Sequence, residues 1–267
     1  MTIDSLTIVT PTLDSCNTIR ATLESLRPLV EKGAEHIVVD SGSTDGTVEI
    51  AKQFGSEVLY HPPGNMYAAI NTGMANAIGE WLTYINSDDL LFSDYVLEAL
   101  EHPLEGATLI YGDIDFIDEQ GRFLFSRRAP DPRHLSWLMR YYNPFPQQGT
   151  LFRREAFDRL DGFNTQFRFA ADLDFFVRCM LAGERFCKFR GKSVAAFRLL
   201  ATQLSQSARA EMAPEGIRIR AELQEESGGI PNWIGQPLAS VYRVGTNVDG
   251  ILLRSLRGRR QDASWRC

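Results

Sequence analysis

The fold of this 267-residue chain is decided by residues 81–89, which read WLTYINSDD. This largely apolar run is typical of a buried strand, and it ends in a polar turn with two adjacent carboxylates. The arrangement recurs in HIVVDSGSTDG at residues 36–46 and in LTIVTPT at residues 6–12. Between these strands, residues 17–30 and 66–77 carry apolar positions at helical spacing. Apolar strands that alternate with helices predict an α/β fold with a parallel sheet covered on both faces.

Polar side chains occur where each predicted strand ends. Thr12 ends the run of residues 6–12, Asp40 ends the strand that begins at residue 36, and Asp88 and Asp89 follow the strand that begins at residue 81. Parallel α/β sheets bind their ligands in the crevice beyond the carboxyl ends of the strands. We therefore expect these residues to line one site.

The pattern changes after residue 113. Residues 116–126 predict a hairpin that turns at residues 119–121, and the apolar spacing of residues 173–181 predicts a helix. Beyond about residue 205 the sequence is helix-like and less regular. We therefore expect a main domain followed by a helical extension.

The composition excludes several classes of protein. With 34 acidic and 28 basic side chains, the chain lacks the dominant basic surface of a nucleic-acid-binding protein. Its four cysteines form no C-x-x-C pair and no zinc spacing, which favours reduced thiols and a cytoplasmic location. No apolar run approaches the roughly 18 residues of a membrane-spanning helix, and the first residues lack the basic region of a signal peptide.

Asp88 and Asp89 are the sharpest chemical feature of the sequence. Adjacent carboxylates repel each other unless a positive charge compensates them. Mg²⁺ prefers one or two carboxylates together with phosphate oxygens, so the pair predicts a divalent ion that is bound with a phosphate-bearing substrate. The alternatives are a solvated turn, or a carboxylate that caps the helix beginning near Ser93.

Other aspartates have both a chemical and a structural interpretation. Asp40 is placed to accept hydrogen bonds from a ribose or a base, or else it starts a polar turn. Asp172 stands before the helix of residues 173–181, as a general base or as an N-cap. Asp113 and Asp115 form a D-x-D for which we expect a structural or acceptor-side role, rather than a metal site or a phosphatase-like nucleophile pair.

Five motifs in order resemble glycosyltransferase family 2, whose members are inverting nucleotide-sugar transferases with the GT-A fold. They read VTPT at 9–12, VVDSGSTDGT at 38–47, AINTG at 69–73, INSDD at 85–89, and GFN at 162–164 followed by ADLD at 171–174. The resemblance extends from about residue 6 to residue 207. It is closest to bacterial enzymes that build exopolysaccharide or lipopolysaccharide.

The resemblance implies a role for each part of the chain. Residues 1–205 are expected to form the GT-A domain, with the nucleotide-sugar half at 1–112, the acceptor half at 113–205, and a helical extension at 206–267. The implied nucleotide-sugar residues are Pro11, Thr12, Asp40, Asn71 and Asp88. Asp89 and Asp88 are implied to hold Mg²⁺ or Mn²⁺, with Asp89 in direct contact, and Asp172 to be the catalytic base.

The implied partners are a nucleotide-diphosphate sugar donor, with a UDP-sugar favoured, and a glycan or lipid-linked acceptor. Three positions depart from the family pattern: Ala171 replaces a common glutamate, Ile70 replaces a common arginine, and residues 198–205 lack a histidine that often completes the metal site. These departures leave open an inactive sugar-nucleotide-binding subunit. A nucleotidyltransferase fits poorly, because the first strand is not followed by a glycine-rich basic loop.

Two further segments have alternative interpretations. Residues 254–266 hold five arginines beside an apolar run at 251–256, so this tail either makes peripheral contact with the inner face of an anionic membrane or is a solvated helix. The aromatic residues between Trp137 and Phe145 either stack on acceptor sugars or pack in the core.

Overall fold

A computed structural model describes residues 5–101, 106–200, 209–227 and 230–247. The first part alternates strands and helices: β1 (Leu6–Thr12), α1 (Ile19–Val30), β2 (Glu35–Asp40), α2 (Thr47–Gln53), β3 (Glu57–Tyr60), α3 (Met66–Asn76) and β4 (Trp81–Tyr84). The second part contains β5 (Leu90–Leu91), α4 (Ser93–Glu101), β6 (Leu109–Ile117), β7 (Phe123–Arg127), α5 (Leu135–Leu138), β8 (Leu151–Arg153), α6 (Arg154–Arg159), α7 (Ala171–Leu181) and β9 (Phe186–Arg198). Two helices follow, α8 (Arg209–Ser227) and α9 (Asn232–Thr246).

The strands form one sheet in the order β3-β2-β1-β4-β8-β6-β9-β5, with β7 paired to β6 beyond the residues that pair with β8. Strands β1 to β4 are parallel to one another, as are β6 and β9. Antiparallel pairing is confined to β5, β7 and β8. The predicted mostly parallel α/β sheet is confirmed, and so is the hairpin, which consists of β6 and β7.

The strand register brings the predicted site residues to one edge. Thr12 lies directly opposite Asp40, and Val9 lies opposite Tyr84. The Ile85 N–H donates to the Val9 carbonyl at 3.0 Å, so the chain leaves β4 beside β1 and enters the turn of residues 86–89. The polar ends of β1, β2 and β4 therefore face the same crevice.

Both faces of the sheet are covered by apolar side chains. Val9 and Val39 pack with α3 and α7 on one face, whereas Leu6 and Ile8 pack with α1 and α4 on the other. This two-sided burial explains why the strands show no polar alternation. Helix α3 approaches β1 so closely that a β-carbon at Gly73 would lie 2.6 Å from a Val9 methyl group.

The extension consists of α8 and α9 in the described part of the chain. Ile219 and Leu223 of α8 are buried in the core cluster that contains α7, and Ala239 of α9 packs on Leu138 and Tyr141 beside α5. Strand β6 crosses residue 112, so the two expected halves share one sheet, and their division stays a prediction. The expected boundary at residue 205, the segment 201–205 of the missing histidine and the tail at 254–266 lie outside the described residues.

None of the helices in the described ranges is both long and apolar enough to span a membrane. Cys16, Cys179 and Cys187 are free thiols, as the spacing of the cysteines predicted, and Cys267 lies outside the described residues.

Candidate active site

Hydrogen bonds tie together the loops at the carboxyl edge of the sheet. The Asp14 carboxylate, in the loop after β1, accepts from the Thr44 N–H of the loop after β2 at 2.8 Å. The Ser15 N–H donates to the Thr47 hydroxyl, and the Ser87 hydroxyl donates to the Ser15 hydroxyl, both at 2.8 Å. These bonds join the loops that follow β1, β2 and β4, so the crevice has a preformed wall.

Asp40 is 5% exposed and caps its own turn. Its carboxylate accepts from the N–H groups of Gly42 at 2.9 Å and Ser43 at 3.0 Å. The structural interpretation of Asp40 is therefore observed, and its contact with a nucleoside stays a prediction. Pro11, which was also predicted to line the nucleoside pocket, is buried in β1 opposite Val39.

Two polar atoms at this edge are buried without a hydrogen-bond partner. They are Thr12 Oγ1, opposite Asp40, and Asn86 Oδ1, in the turn after β4. A buried polar atom without a partner is costly, so such atoms point to a polar ligand or a water molecule. The sequence predicted Thr12 as a residue of the nucleotide-sugar site, but it did not single out Asn86 within the INSDD motif.

Asp89 is completely buried, and its carboxylate is held by three donors. They are the Arg198 N–H at 2.9 Å, the Gln148 amide at 3.1 Å and the Asn86 amide at 3.3 Å. Burial, followed by the neighbouring charge of Asp88, raises the pKa of Asp89 well above its ordinary value. This environment makes Asp89 a supporting element of the turn.

Asp88 is partly exposed, unlike its neighbour. Its backbone carbonyl accepts from Arg198 Nε at 2.8 Å, so Arg198 of β9 bonds to both members of the acidic pair. The pair fits a divalent ion that is held together with substrate phosphates, because Mg²⁺ uses only one or two carboxylates in such sites. The unpartnered Asn86 Oδ1 in the same turn is a further oxygen of the right type.

Asn71 pairs with the protein backbone through both ends of its amide. Its Nδ2 donates to the Phe163 carbonyl at 2.7 Å, and its Oδ1 accepts from the Phe163 N–H at 3.1 Å. Asn71 therefore fastens α3 to the loop before α7. Its predicted contact with the nucleotide sugar is not tested by this geometry and stays a prediction.

Asp172 lies in the first turn of α7, which begins one residue earlier at Ala171. The N-cap position belongs to Ala170, so Asp172 does not cap the helix. Its carboxylate accepts from the Leu173 N–H at 2.8 Å and also interacts with the Tyr67 hydroxyl. Desolvation raises the pKa of Asp172 to about 6, which is suitable for a group that exchanges protons near neutral pH.

Two buried tyrosines lie within electrostatic range of the predicted acids. The Tyr67 hydroxyl donates to the Phe169 carbonyl at 3.4 Å, and the Tyr67 and Tyr84 rings meet edge to face at 6.4 Å. Burial raises the pKa of Tyr84, and the charges of Asp172 and Asp89 raise it further. The charges of both aspartates therefore reach the same buried hydroxyl group, and their membership of one site stays a prediction.

A carboxylate that the sequence did not predict as functional holds the segment before Asp172. Glu215 of α8 accepts from three consecutive N–H groups, those of Arg168 at 2.8 Å, Phe169 at 2.9 Å and Ala170 at 3.0 Å. Nothing in the local sequence of α8 marks this residue, because its partners lie about 45 residues away along the chain.

Gln147 and Gln148 were also missed. Gln147 donates to the Tyr84 carbonyl at 2.7 Å, and Gln148 donates to the Asp89 carboxylate. The sequence signal is a pair of adjacent amides shortly before β8, and in the structure both side chains are buried, which is unusual for glutamine.

The other candidate residues have structural roles. Asp113 is ion-paired with Lys188 at 2.8 Å, and Asp115 accepts from the hydroxyls of Ser126 and Ser193. Among the aromatic residues, Phe145 is completely buried and stacks on Tyr111 at 4.4 Å. Core packing therefore describes it better than contact with a sugar.

Comparison with known sequences agrees with this arrangement. The profile of "Glycosyl transferase family 2" matches residues 7–171. A PGL/p-HBAD biosynthesis glycosyltransferase of Mycobacterium bovis is 30% identical over 183 residues, which are 64% of this chain and 68% of the relative. Glycosyltransferase GlyA of Streptococcus pneumoniae is 33% identical over 129 residues, which are 46% of this chain and 18% of GlyA.

Solved structures share the fold at low identity. TarS of S. aureus (residues 1–349 with UDP-GlcNAc) has a TM-score of 0.64 at 19% identity, over 82% of this chain and 66% of that one. The match to a longer TarS chain spans 41% of that chain. The mannosyltransferase PcManGT of Pyrobaculum calidifontis, in complex with GDP-Man and Mn²⁺, has a TM-score of 0.63 at 17% identity. The match covers 97% of this chain and 76% of that one.

The family profile covers more than half of the chain. The parallel strands β1 to β4, the acidic turn after β4 and the fold of the solved neighbours agree with it. The chain belongs to glycosyltransferase family 2 and is a glycosyltransferase with the GT-A fold.

Proposed function

We propose that this enzyme transfers a sugar from a nucleotide-diphosphate sugar, with a UDP-sugar favoured, to a hydroxyl group of a glycan or lipid-linked acceptor, with inversion at the anomeric carbon. The observation that carries the proposal is the partly exposed Asp172, whose pKa of about 6 suits a general base and whose charge, like that of Asp89, raises the pKa of Tyr84. Solved neighbours in complex with UDP-GlcNAc and with GDP-Man support a nucleotide-sugar donor.

The donor binds at the edge formed by β1, β2 and β4. Thr12 Oγ1 and Asn86 Oδ1 are the buried atoms that a polar ligand satisfies there. Pro11 and Asp40 form the floor for the nucleoside, and Asn71 acts through the loop at Phe163 that it holds.

Asp88 and Asp89 hold a divalent ion, Mg²⁺ or Mn²⁺. The sequence resemblance put the direct contact at Asp89. Because that carboxylate is buried and already accepts three hydrogen bonds, we assign the direct contact to the partly exposed Asp88 and a supporting role to Asp89. When bound there, such an ion would neutralise negative charge on the diphosphate, and Lewis-acid assistance of this kind is worth several kcal/mol.

The acceptor approaches from the side of α7. Its hydroxyl oxygen forms a bond to the anomeric carbon, the bond from that carbon to the diphosphate oxygen breaks, and the hydroxyl proton passes to Asp172. The Leu173 N–H donates to the Asp172 carboxylate and thereby helps to keep it oriented. An α-linked donor gives a β-linked product by this in-line route. General-base assistance of this kind contributes about 10²–10⁴-fold to the rate.

A panel of nucleotide-diphosphate sugars with and without Mn²⁺ tests the donor site, with thermal shift and product formation as readouts. We expect Asp88→Ala to keep its fold and to lose the Mn²⁺-dependent part of donor binding. Asp89→Ala leaves the Arg198 N–H and the Gln148 amide without their acceptor, so it destabilises the fold by about 1–3 kcal/mol for each buried group.

Two outcomes would contradict this assignment. If Asp89→Ala folds normally and loses metal dependence while Asp88→Ala keeps it, the direct contact belongs to Asp89. If the wild-type protein binds a donor but never turns it over with any acceptor or with water, the inactive binding subunit replaces the proposed transferase.

A further inference from the structure

Helix α9 is attached to the rest of the protein by a face of small residues. Gly235 and Ala239 are buried against the segment around α5. A β-carbon at Gly235 would lie 2.0 Å from the Tyr141 hydroxyl oxygen, so only glycine permits this approach. The Tyr141 hydroxyl also donates to the Ile230 carbonyl at 2.9 Å, which fixes the start of the helix.

The outward face of α9 is apolar. Trp233 is 78% exposed, Val241 70%, Leu238 49% and Val244 47%. Leu238, Val241 and Val244 follow one another at intervals of three residues, and Trp233 lies about three helical turns before Val244, so the four residues form one stripe along the helix. A helix on the surface of a globular domain normally turns its apolar side inward, whereas α9 buries small residues and exposes the large apolar ones.

The helix that carries this stripe has charge of one sign only. Between residues 230 and 247 the only charged side chain is Arg243. The sequence beyond α9, residues 248–267, contains five arginines and two aspartates, although the chain as a whole has a net charge of −6. Basic charge is therefore concentrated in the part of the sequence that carries or directly follows the apolar stripe.

We propose that the outward face of α9 docks on an anionic lipid bilayer. Apolar and tryptophan side chains of a surface helix enter the boundary between headgroups and acyl chains, and nearby arginines are attracted to anionic lipids. The proposal deepens the proposed function, on which its relevance rests, because a lipid-linked acceptor is presented at a membrane surface.

A second copy of the chain is the other occupant that such a face suggests. In a two-fold symmetric dimer the same patch lies on both sides of the interface, and residues 230–247 contain no acidic side chain that could pair with a basic one of the second copy. A second copy would leave the basic charge uncompensated, whereas anionic headgroups would pair with it. The charge pattern therefore favours a bilayer.

Vesicle flotation tests the proposal. The full-length protein is mixed with phosphatidylglycerol/phosphatidylcholine vesicles and, separately, with phosphatidylcholine vesicles. We expect it to float with the first type, to float weakly with the second, and to detach at high salt. The double variant Leu238→Glu/Val241→Glu places two acids on the stripe and should bind the anionic vesicles at least about tenfold more weakly.

Ile78→Glu is the control. Ile78 is an apolar residue that is 77% exposed, like those of the stripe, but it lies elsewhere, in the connection between α3 and β4. It should float as the wild type does. Donor-induced thermal shifts of all three proteins should agree, which separates a failure of docking from a failure of the donor site or of folding.

The proposal is overturned if the wild type does not float with anionic vesicles, or if the double variant floats equally well. It is also overturned if the wild type forms a concentration-dependent dimer in solution that the double variant abolishes while vesicle binding is unchanged.

Discussion

The two acidic regions of the crevice are built in opposite ways. At the edge of β2 and β4, the carboxylates of Asp40 and Asp89 accept hydrogen bonds from their own turns and from β9, so their positions are fixed. Asp172 accepts one backbone N–H, and burial raises its pKa to about 6. The first region is fixed in place, whereas the second is poised to exchange a proton.

The regions also differ in what holds them. The loops of the first region bond to one another, from Asp14 to Thr44 and from Ser15 to Ser87. The loop before Asp172 is held from outside, by Asn71 of α3 and by Glu215 of α8. Preformed polar sites favour binding, and a general base requires accurate orientation by its surroundings. The difference therefore predicts distinct kinetic effects of substitutions in the two regions.

Asp172→Asn should have the largest effect. The amide is nearly the size of the carboxylate but does not accept a proton at neutral pH, so we expect kcat to fall at least about 10²-fold while the donor-induced thermal shift is retained. Because a desolvated charge is removed, the free energy of unfolding at neutral pH should not decrease. If this variant turns over at a near-normal rate, Asp172 is not the general base, and the two regions do not differ as described.

The pH dependence should follow from the same carboxylate. With a pKa of about 6, Asp172 loses its base form at lower pH, so kcat/KM should fall about tenfold per pH unit below that value. A flat profile between about pH 5 and about pH 7 would contradict the assignment.

The contribution of Asp172 to the free energy of unfolding should depend on pH in the opposite direction from kcat/KM. The folded-state pKa of Asp172 is raised, so its contribution to stability is greatest below its unfolded pKa near 4 and is lost as the pH rises through about 6. Urea unfolding of the wild type and of Asp172→Asn at several pH values isolates this contribution. The difference in unfolding free energy between the two proteins should change in favour of the variant as the pH rises.

Glu215→Ala should lower kcat less than Asp172→Asn does. It removes the acceptor of three N–H groups at residues 168–170, and the resulting misplacement of Asp172 should lower kcat about tenfold with donor binding unchanged. The pH profile should keep its midpoint, because the base is still present. Glu215→Gln keeps an acceptor oxygen and should recover part of the loss.

Glu222→Ala is the control for Glu215, because Glu222 lies on the same helix and only makes an exposed pair with Arg218. Hydrogen exchange at residues 168–170 should increase in Glu215→Ala alone. Equal loss of kcat in both variants would show that α8 acts through general stability, and Glu215 would have no positioning role.

The sequence predicted the elements that local patterns encode. The strand before Asp88 and Asp89, the parallel pairing and the β6–β7 hairpin follow from apolar runs and turn residues, and all are observed. The chemical interpretation of single aspartates was less secure from sequence alone. Asp172 precedes an apolar stripe as an N-cap does, yet α7 begins one residue before it.

The amino-acid sequence by itself determined the family, the wound sheet and the edge at which its polar residues gather, because these depend on periodicity and on short motifs. Only the tertiary structure decided which of the two adjacent acids is buried, that Glu215 reaches the loop before Asp172, and that α9 turns its large apolar side chains outward. Burial and long-range hydrogen bonds depend on what packs against a residue from a distant part of the chain. Local sequence carries no record of that neighbour.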